Sequence, residues 1–146
     1  MRYFLLNIFF FSVTYIDAQS LELFEKEIFV YKNDTLNYRI LKPLDYDPNH
    51  QYPLHLFLHG AGERGSDNTS QLTYVDNLFL KKENRKIYKS WVILPQCPIN
   101  DRWPSLSSDN EWNNNFKNKS NNPTKSLGHV IKVMEAFIKT KPANKQ

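Results

Sequence analysis

The chain has 146 residues, 40% of them hydrophobic, and a formal net charge of +4. This length fits one domain, and the apolar content excludes a chain that is disordered throughout. The basic residues are spread along the sequence without a dense block, so nucleic acid is not an expected partner. The lone Cys97 excludes an internal disulfide framework, and the four histidines lack metal-ligand spacing, so we expect no metal and no cofactor.

The first 18 residues predict a secretory signal peptide. Arg2 supplies a short positive start, residues 4–13 form an apolar run, and Ala18 suits cleavage. A membrane anchor or a buried N-terminal helix is the alternative, but a bilayer span needs about 20 apolar residues. We therefore expect a mature chain from about Gln19, secreted or periplasmic, with no stable membrane anchor.

The next region predicts an antiparallel hairpin. Residues 27–31 are rich in β-branched and aromatic types, and residues 36–41 alternate between apolar and polar. Asn33 and Asp34 form a turn signal between the two stretches. Pro43 ends this hairpin, and a surface loop follows.

A short apolar run at residues 54–58 predicts a buried strand that stops in a glycine-rich loop. Gly60, Gly62 and Gly65 are three of the chain's four glycines. Glycine lets a backbone turn sharply and direct its N–H groups at a ligand. This loop is therefore the first candidate for a functional site.

Helices and strands alternate after the loop. Apolar spacing predicts a helix over residues 69–80, a second buried strand over 90–94, and an amphipathic helix over 123–139. Asn122 is expected to cap the last helix, whose predicted apolar face is Leu127, Val130, Ile131, Met134, Phe137 and Ile138. Residues 81–86 are expected to be a charged exit, and residues 96–122 irregular. The pattern predicts an α/β fold, in which the hairpin leads into a mostly parallel sheet with helices on both faces.

Three segments together resemble a known family. Residues 59–68 (HGAGERGSDN), followed by residues 71–73 (QLT) and by residues 95–98 (PQCP) with Trp103, resemble secreted α/β-hydrolases. The resemblance is to peptidase-like and feruloyl-esterase-like relatives of the phospholipase/carboxylesterase group, and covers residues 24–140. It implies a serine hydrolase that cleaves an ester, or less often a peptide bond, in a small-molecule, peptide-linked or polysaccharide-linked substrate.

The resemblance also implies roles for residues of the glycine-rich loop. Ala61 would supply a backbone N–H to the oxyanion hole, with Gly62 as a neighbour that shares the role. His59 would brace the loop rather than act as a base. Trp103 is a candidate substrate contact, with plain packing as the alternative.

Several polar residues have plainer interpretations. Glu63 and Arg64 contact substrate or, on the alternative, are solvated or paired with each other. Asp67 and Asn68 are expected to cap the following helix. Cys97 is expected to be a small buried residue rather than a reactive thiol. His55 is expected in the strand interior, and His129 on the solvated side of the last helix.

The chain departs from the family at the nucleophile. Acyl transfer in α/β-hydrolases uses a serine in a Gly-x-Ser-x-Gly turn, and no serine here has glycine two residues before and after it. We interpret residues 19–146 as a truncated hydrolase domain that ends before this turn, so that nucleophile, acid and catalytic histidine are absent. The alternative is a secreted, non-catalytic carbohydrate-binding module that uses Trp103 and Trp112. The sequence leaves the substrate and the oligomeric state open.

Overall fold

A computed structural model describes residues 21–104 and 123–143. The predicted signal peptide, Trp112 and the expected cap Asn122 lie outside these ranges.

The described residues form one four-stranded sheet with the strand order β1-β2-β4-β3. Its strands are β1 (Phe24–Tyr31), β2 (Asp34–Leu41), β3 (Leu54–Leu56) and β4 (Trp91–Pro95). β1 and β2 form the predicted hairpin, and β2 also pairs antiparallel with β4. Only β3 and β4 pair in parallel among the described strands, so the described sheet is mixed rather than mostly parallel.

The hairpin turn lies one residue earlier than the sequence predicted. Lys32 and Asn33 form the turn, and Asp34 already pairs with Tyr31. Lys32 has φ 56°, the left-handed conformation that two-residue hairpin turns require.

One face of the sheet is covered by a long helix, Lys125–Thr140, which we call α2 because a short helix precedes it in the chain. The Thr124 side chain caps α2 by accepting the Leu127 N–H, so the helix begins two residues after the predicted Pro123. Its buried residues are Ser126, Val130, Val133 and Phe137. The predicted apolar face was therefore only partly right, since Ile131 is 44% exposed. Tertiary packing on Trp91 and Ile93 selects the face.

The opposite face is covered by short helical turns instead of the predicted helix over residues 69–80. Ser70–Leu72 forms a 3₁₀ turn and Asp76–Leu80 a π-helical turn. Leu72 and Val75 are nevertheless buried against Val92 and Leu94, as their spacing predicted. The helix α1 (Lys82–Ile87) occupies the segment predicted to be a charged exit.

The two strands that were predicted to be buried differ. Every residue of β4 is buried, which confirms that prediction, whereas Leu56 and Leu58 are 38% and 37% exposed. β3 pairs with β4 alone in the described sheet and spans three residues. The expectation of a buried strand over residues 54–58 was therefore wrong for this structure, and His55, expected inside, is exposed.

Candidate active site

The glycine-rich loop leaves the end of β3 and turns at once. Gly60 is extended, with φ −77° and ψ −179°, and Ala61–Glu63 forms a 3₁₀ turn directly after it. Ala61 and Gly62 are both exposed at the start of this turn. We call residues 59–65 the glycine loop.

His59 braces the glycine loop from below, as the resemblance implied. Its ring is buried, and its Nε2 accepts the Cys97 N–H at 2.9 Å. Nε2 must then be unprotonated, so the proton is on Nδ1, which lies 2.6 Å from the Gly60 carbonyl oxygen. Trp103 covers the ring at 5.2 Å and donates its indole N–H to the His59 carbonyl at 3.0 Å. Because both ring nitrogens are engaged, His59 is not placed as a catalytic base.

Gln96 holds the far end of the loop to the segment after β4. Its side chain is buried; Nε2 donates to the Asp67 carboxylate at 2.8 Å, and Oε1 accepts the Asn68 N–H at 2.7 Å. Gly65 donates its N–H to the Cys97 carbonyl at 2.9 Å, and a Cβ on Gly65 would come within 3.1 Å of Gln96 Nε2. Sequence reasoning missed Gln96, although an amide next to a wholly apolar strand was an available signal.

The loop is also tied to the hairpin. Asn68 is buried with φ 52°, and its Nδ2 donates to the carbonyls of Glu27 and Tyr38 at 3.3 and 3.2 Å. Arg39 is buried beside it and donates to the carbonyls of Asn68 and Phe24 at 2.6 and 2.7 Å. Asn68 is therefore an anchor and not the predicted helix cap.

Asp67 does cap the next turn. Its Oδ1 accepts the N–H groups of Thr69 and Ser70 at 2.8 and 2.9 Å. The Ser70 hydroxyl contributes most to lowering the pKa of the Asp67 carboxyl well below its ordinary value, and these amides add to it. The carboxylate stays charged at neutral pH and holds the loop exit.

Arg64 and Glu63 do not pair with each other. Arg64 donates Nε to the Ala61 carbonyl at 3.0 Å and Nη1 to the Asp101 carbonyl at 3.2 Å. Glu63 is half-buried, with its carboxylate 4.0 Å from His59 Nδ1. Both side chains thus approach groups of the glycine loop, and the Arg64 side chain also contacts the segment after β4.

Two adjacent backbone N–H groups, at the start of the 3₁₀ turn, have no acceptor among the described residues. The N–H groups of Ala61 and Gly62 open the 3₁₀ turn, where no intrahelical partner exists. A Cβ on Gly62 would meet no heavy atom within 4 Å, so the space above this amide is open. Such a pair of free donors is suited to an anionic oxygen.

The remaining candidates add no reactive side chain to this loop. Burial is the main cause that raises the pKa of the Cys97 thiol, as expected for a small core residue. His129 is half-buried at 6.0 Å from the Tyr31 ring rather than fully solvated. An apolar cavity of about 320 Å³ lies under the β3 edge, and a polar one of about 480 Å³ beside Asp101. Neither is lined by Ala61 or Gly62.

Comparison with known proteins shows a similarity to an esterase. No family model and no curated protein matches the chain. Among solved structures, a thermostable esterase matches with a TM-score of 0.72 and 32% sequence identity, over 86% of this chain and 33% of the esterase chain. The fold is esterase-like.

The match supports the expected α/β-hydrolase-like architecture. The chain spans about a third of the length of the esterase that it matches. Within the described ranges, no helix is long and apolar enough to cross a membrane. The described part of the chain also holds no group of three potential metal ligands.

Proposed function

We propose that this chain is the N-terminal part of a secreted serine hydrolase that cleaves carboxylic esters or, less often, peptide bonds. The observation that carries most of this proposal is the 32% identity with an esterase over 86% of the chain. The nucleophile, acid and histidine of the triad lie outside these 146 residues on this proposal. The finer relation to feruloyl-esterase-like and peptidase-like enzymes rests on the loop sequence at residues 59–68.

The chemistry of the proposal assigns the free amides of the glycine loop to the oxyanion. Acyl transfer passes through a tetrahedral intermediate whose oxygen carries a full negative charge. Ala61 N–H is the assigned donor and Gly62 N–H shares the role, because both are exposed and without an acceptor among the described residues. Removing one such donor typically slows an enzyme by about 10²–10³.

Trp103 is a weaker part of the same proposal. It is half-buried beside the loop, so a substrate acyl or leaving group could touch its exposed portion. Its indole N–H is already donated to His59, and its ring packs on the His59 ring. The alternative of a carbohydrate-binding module would use Trp103 and Trp112 for stacking. Trp103 is already in ring contact with His59, and Trp112 lies outside the described ranges.

The decisive experiment is active-site labelling of the full-length protein that contains this chain. A fluorophosphonate probe should label one serine that lies outside residues 1–146, and the protein should hydrolyse short p-nitrophenyl esters. Peptide-anilide substrates run in parallel separate esterase from peptidase activity. A full-length, folded protein that neither reacts with the probe nor hydrolyses any of these substrates would refute the proposal.

Export is a separate part of the proposal and has its own test. Arg2, the apolar run at residues 4–13 and Ala18 support a cleaved leader. N-terminal sequencing of the protein from its own host should find a start near Gln19 or Leu21 in the extracytoplasmic fraction. A cytoplasmic product that retains Met1 would contradict this.

A further inference from the structure

The guanidinium of Arg64 connects the glycine loop to the start of α2. It donates to the Ala61 carbonyl at 3.0 Å and to the Asp101 carbonyl at 3.2 Å. The Asp101 carboxylate in turn accepts the Ser126 N–H at 2.8 Å and the Ser126 hydroxyl at 2.6 Å. Arg64 therefore fixes the loop against a residue that is itself held by the first turn of a 16-residue helix.

The contact of Arg64 with the Ala61 carbonyl also sets the direction of a neighbouring backbone N–H. The carbonyl and the N–H of one peptide unit point in opposite directions across a rigid plane. A donor that holds the Ala61 carbonyl therefore also sets the direction of the Gly62 N–H, which points away from Arg64. His59 does the same one peptide earlier, since its Nδ1 lies 2.6 Å from the Gly60 carbonyl and so fixes the Ala61 N–H.

The Ala61–Gly62 peptide needs such a contact. Both residues are exposed, and Gly62 has no side chain to restrict its backbone. The 3₁₀ turn contributes one long hydrogen bond, from the Glu63 N–H to the Gly60 carbonyl at 3.4 Å, which spans the peptide without binding its carbonyl. Among the described residues, the Arg64 side chain is thus the donor that holds the Ala61 carbonyl itself.

We propose that Arg64 is a positioning residue for acyl transfer, which holds the Ala61 carbonyl so that the Gly62 N–H stays directed at the oxyanion. This inference rests on the proposed hydrolase function and adds to it the residue that orients the second loop donor. Arg64 acts through the backbone, so it affects stabilisation of the transition state more than binding of the neutral ester.

The test compares kcat and KM of the full-length protein with those of R64Q, R64K and R85Q on p-nitrophenyl acetate. R85Q is the matched control. Arg85 lies on α1, is also half-buried, and donates to a backbone carbonyl, that of Lys42, at 2.9 Å. R64Q should lose about tenfold in kcat, less than the 10²–10³ of a deleted donor. Its KM should stay within about twofold of wild type, since the contact acts on the transition state. R64K should recover part of kcat, and R85Q should match wild type.

A crystal structure of R64Q gives the second readout. The Ala61–Gly62 peptide should rotate or show two orientations in R64Q, while His59 and Gly60 keep their places. An unrotated peptide with unchanged kcat would overturn the positioning role, and a raised KM with unchanged kcat would assign Arg64 to direct substrate binding instead. If wild type has no hydrolase activity, the proposed function fails, and the peptide orientation in R64Q still decides whether Arg64 positions the loop.

Discussion

The Nε2 atom of His59 accepts the backbone N–H of Cys97 at 2.9 Å, across 38 positions of sequence. This contact joins the loop after β3 to the segment after β4, and both residues are buried. It explains why a histidine precedes the glycines, since an aliphatic residue would leave a buried amide without an acceptor.

Replacing His59 should therefore destabilise the fold. His59→Phe leaves the Cys97 N–H unpaired in a buried place, which costs about 1–3 kcal/mol. Urea unfolding of the full-length protein measures the free energy of unfolding. The same substitution at the exposed His50 is the control and should stay within about 0.5 kcal/mol of wild type. Equal stability of the two variants would show that His59 does not brace the loop.

Asp67 should make stability depend on acid pH. Its pKa is lowered in the folded protein, so it contributes stability that is present above the unfolded pKa of about 3.9 and lost as pH falls below it. Asp67→Asn cannot titrate and lacks the charge that strengthens the hydrogen bonds from the Ser70 hydroxyl and the Gln96 amide, so it should be about 1 kcal/mol less stable than wild type at pH 7. The gap in unfolding free energy between wild type and D67N should be constant from pH 7 to 5 and narrow below pH 4.

The control for this prediction is Asp45→Asn. The Asp45 side chain is 74% exposed and pairs with Lys89 at the surface. Two results would contradict the role given to Asp67. One is a difference in unfolding free energy between wild type and D67N that stays the same from pH 7 to pH 2.5. The other is a difference between wild type and D45N that narrows as strongly as the D67N difference.

The sequence predicted the parts of the fold that local pattern determines. The hairpin, the buried strand β4 and the last helix follow from alternation, from β-branched content and from apolar spacing. The resemblance placed His59 as a brace, and the structure confirms that position. The start of α2 was less predictable, because Asn122 and Thr124 are both capping residue types and Thr124 is the cap. The buried face of α2 was also less predictable, because packing on Trp91 selects it.

The sequence could not predict the contacts that hold the glycine loop. Gln96, Arg64 and Asn68 act through hydrogen bonds to backbone groups 28 to 41 positions away, or to their own loop. Every residue except proline offers the same backbone N–H and carbonyl groups, so the sequence does not show which of them a side chain will bind. The exposure of β3 was missed for a related reason. An apolar run in the sequence does not show which strands or helices will pack beside it.

Residues 19–146 produced alone should self-associate and should not react with a fluorophosphonate. Leu56 and Leu58 are exposed beside a strand that pairs on one side among the described strands, and such an edge is a template for aggregation. L56K should shift size-exclusion profiles of this segment towards monomer, whereas I87K, on exposed α1, should not. A cooperatively melting monomer of residues 19–146, or a labelled serine within it, would contradict this.

The most direct measurement of the central claim is kcat of A61P and A61G in the full-length protein. Proline removes the Ala61 N–H, suits the first position of a helical turn, and tolerates Gly60 in its extended conformation. A61G keeps the N–H and is the matched control. If Ala61 is an oxyanion donor, A61P should lose about 10²–10³ in kcat while A61G stays near wild type. A folded A61P variant with unchanged kcat would contradict the assignment of this loop to the oxyanion.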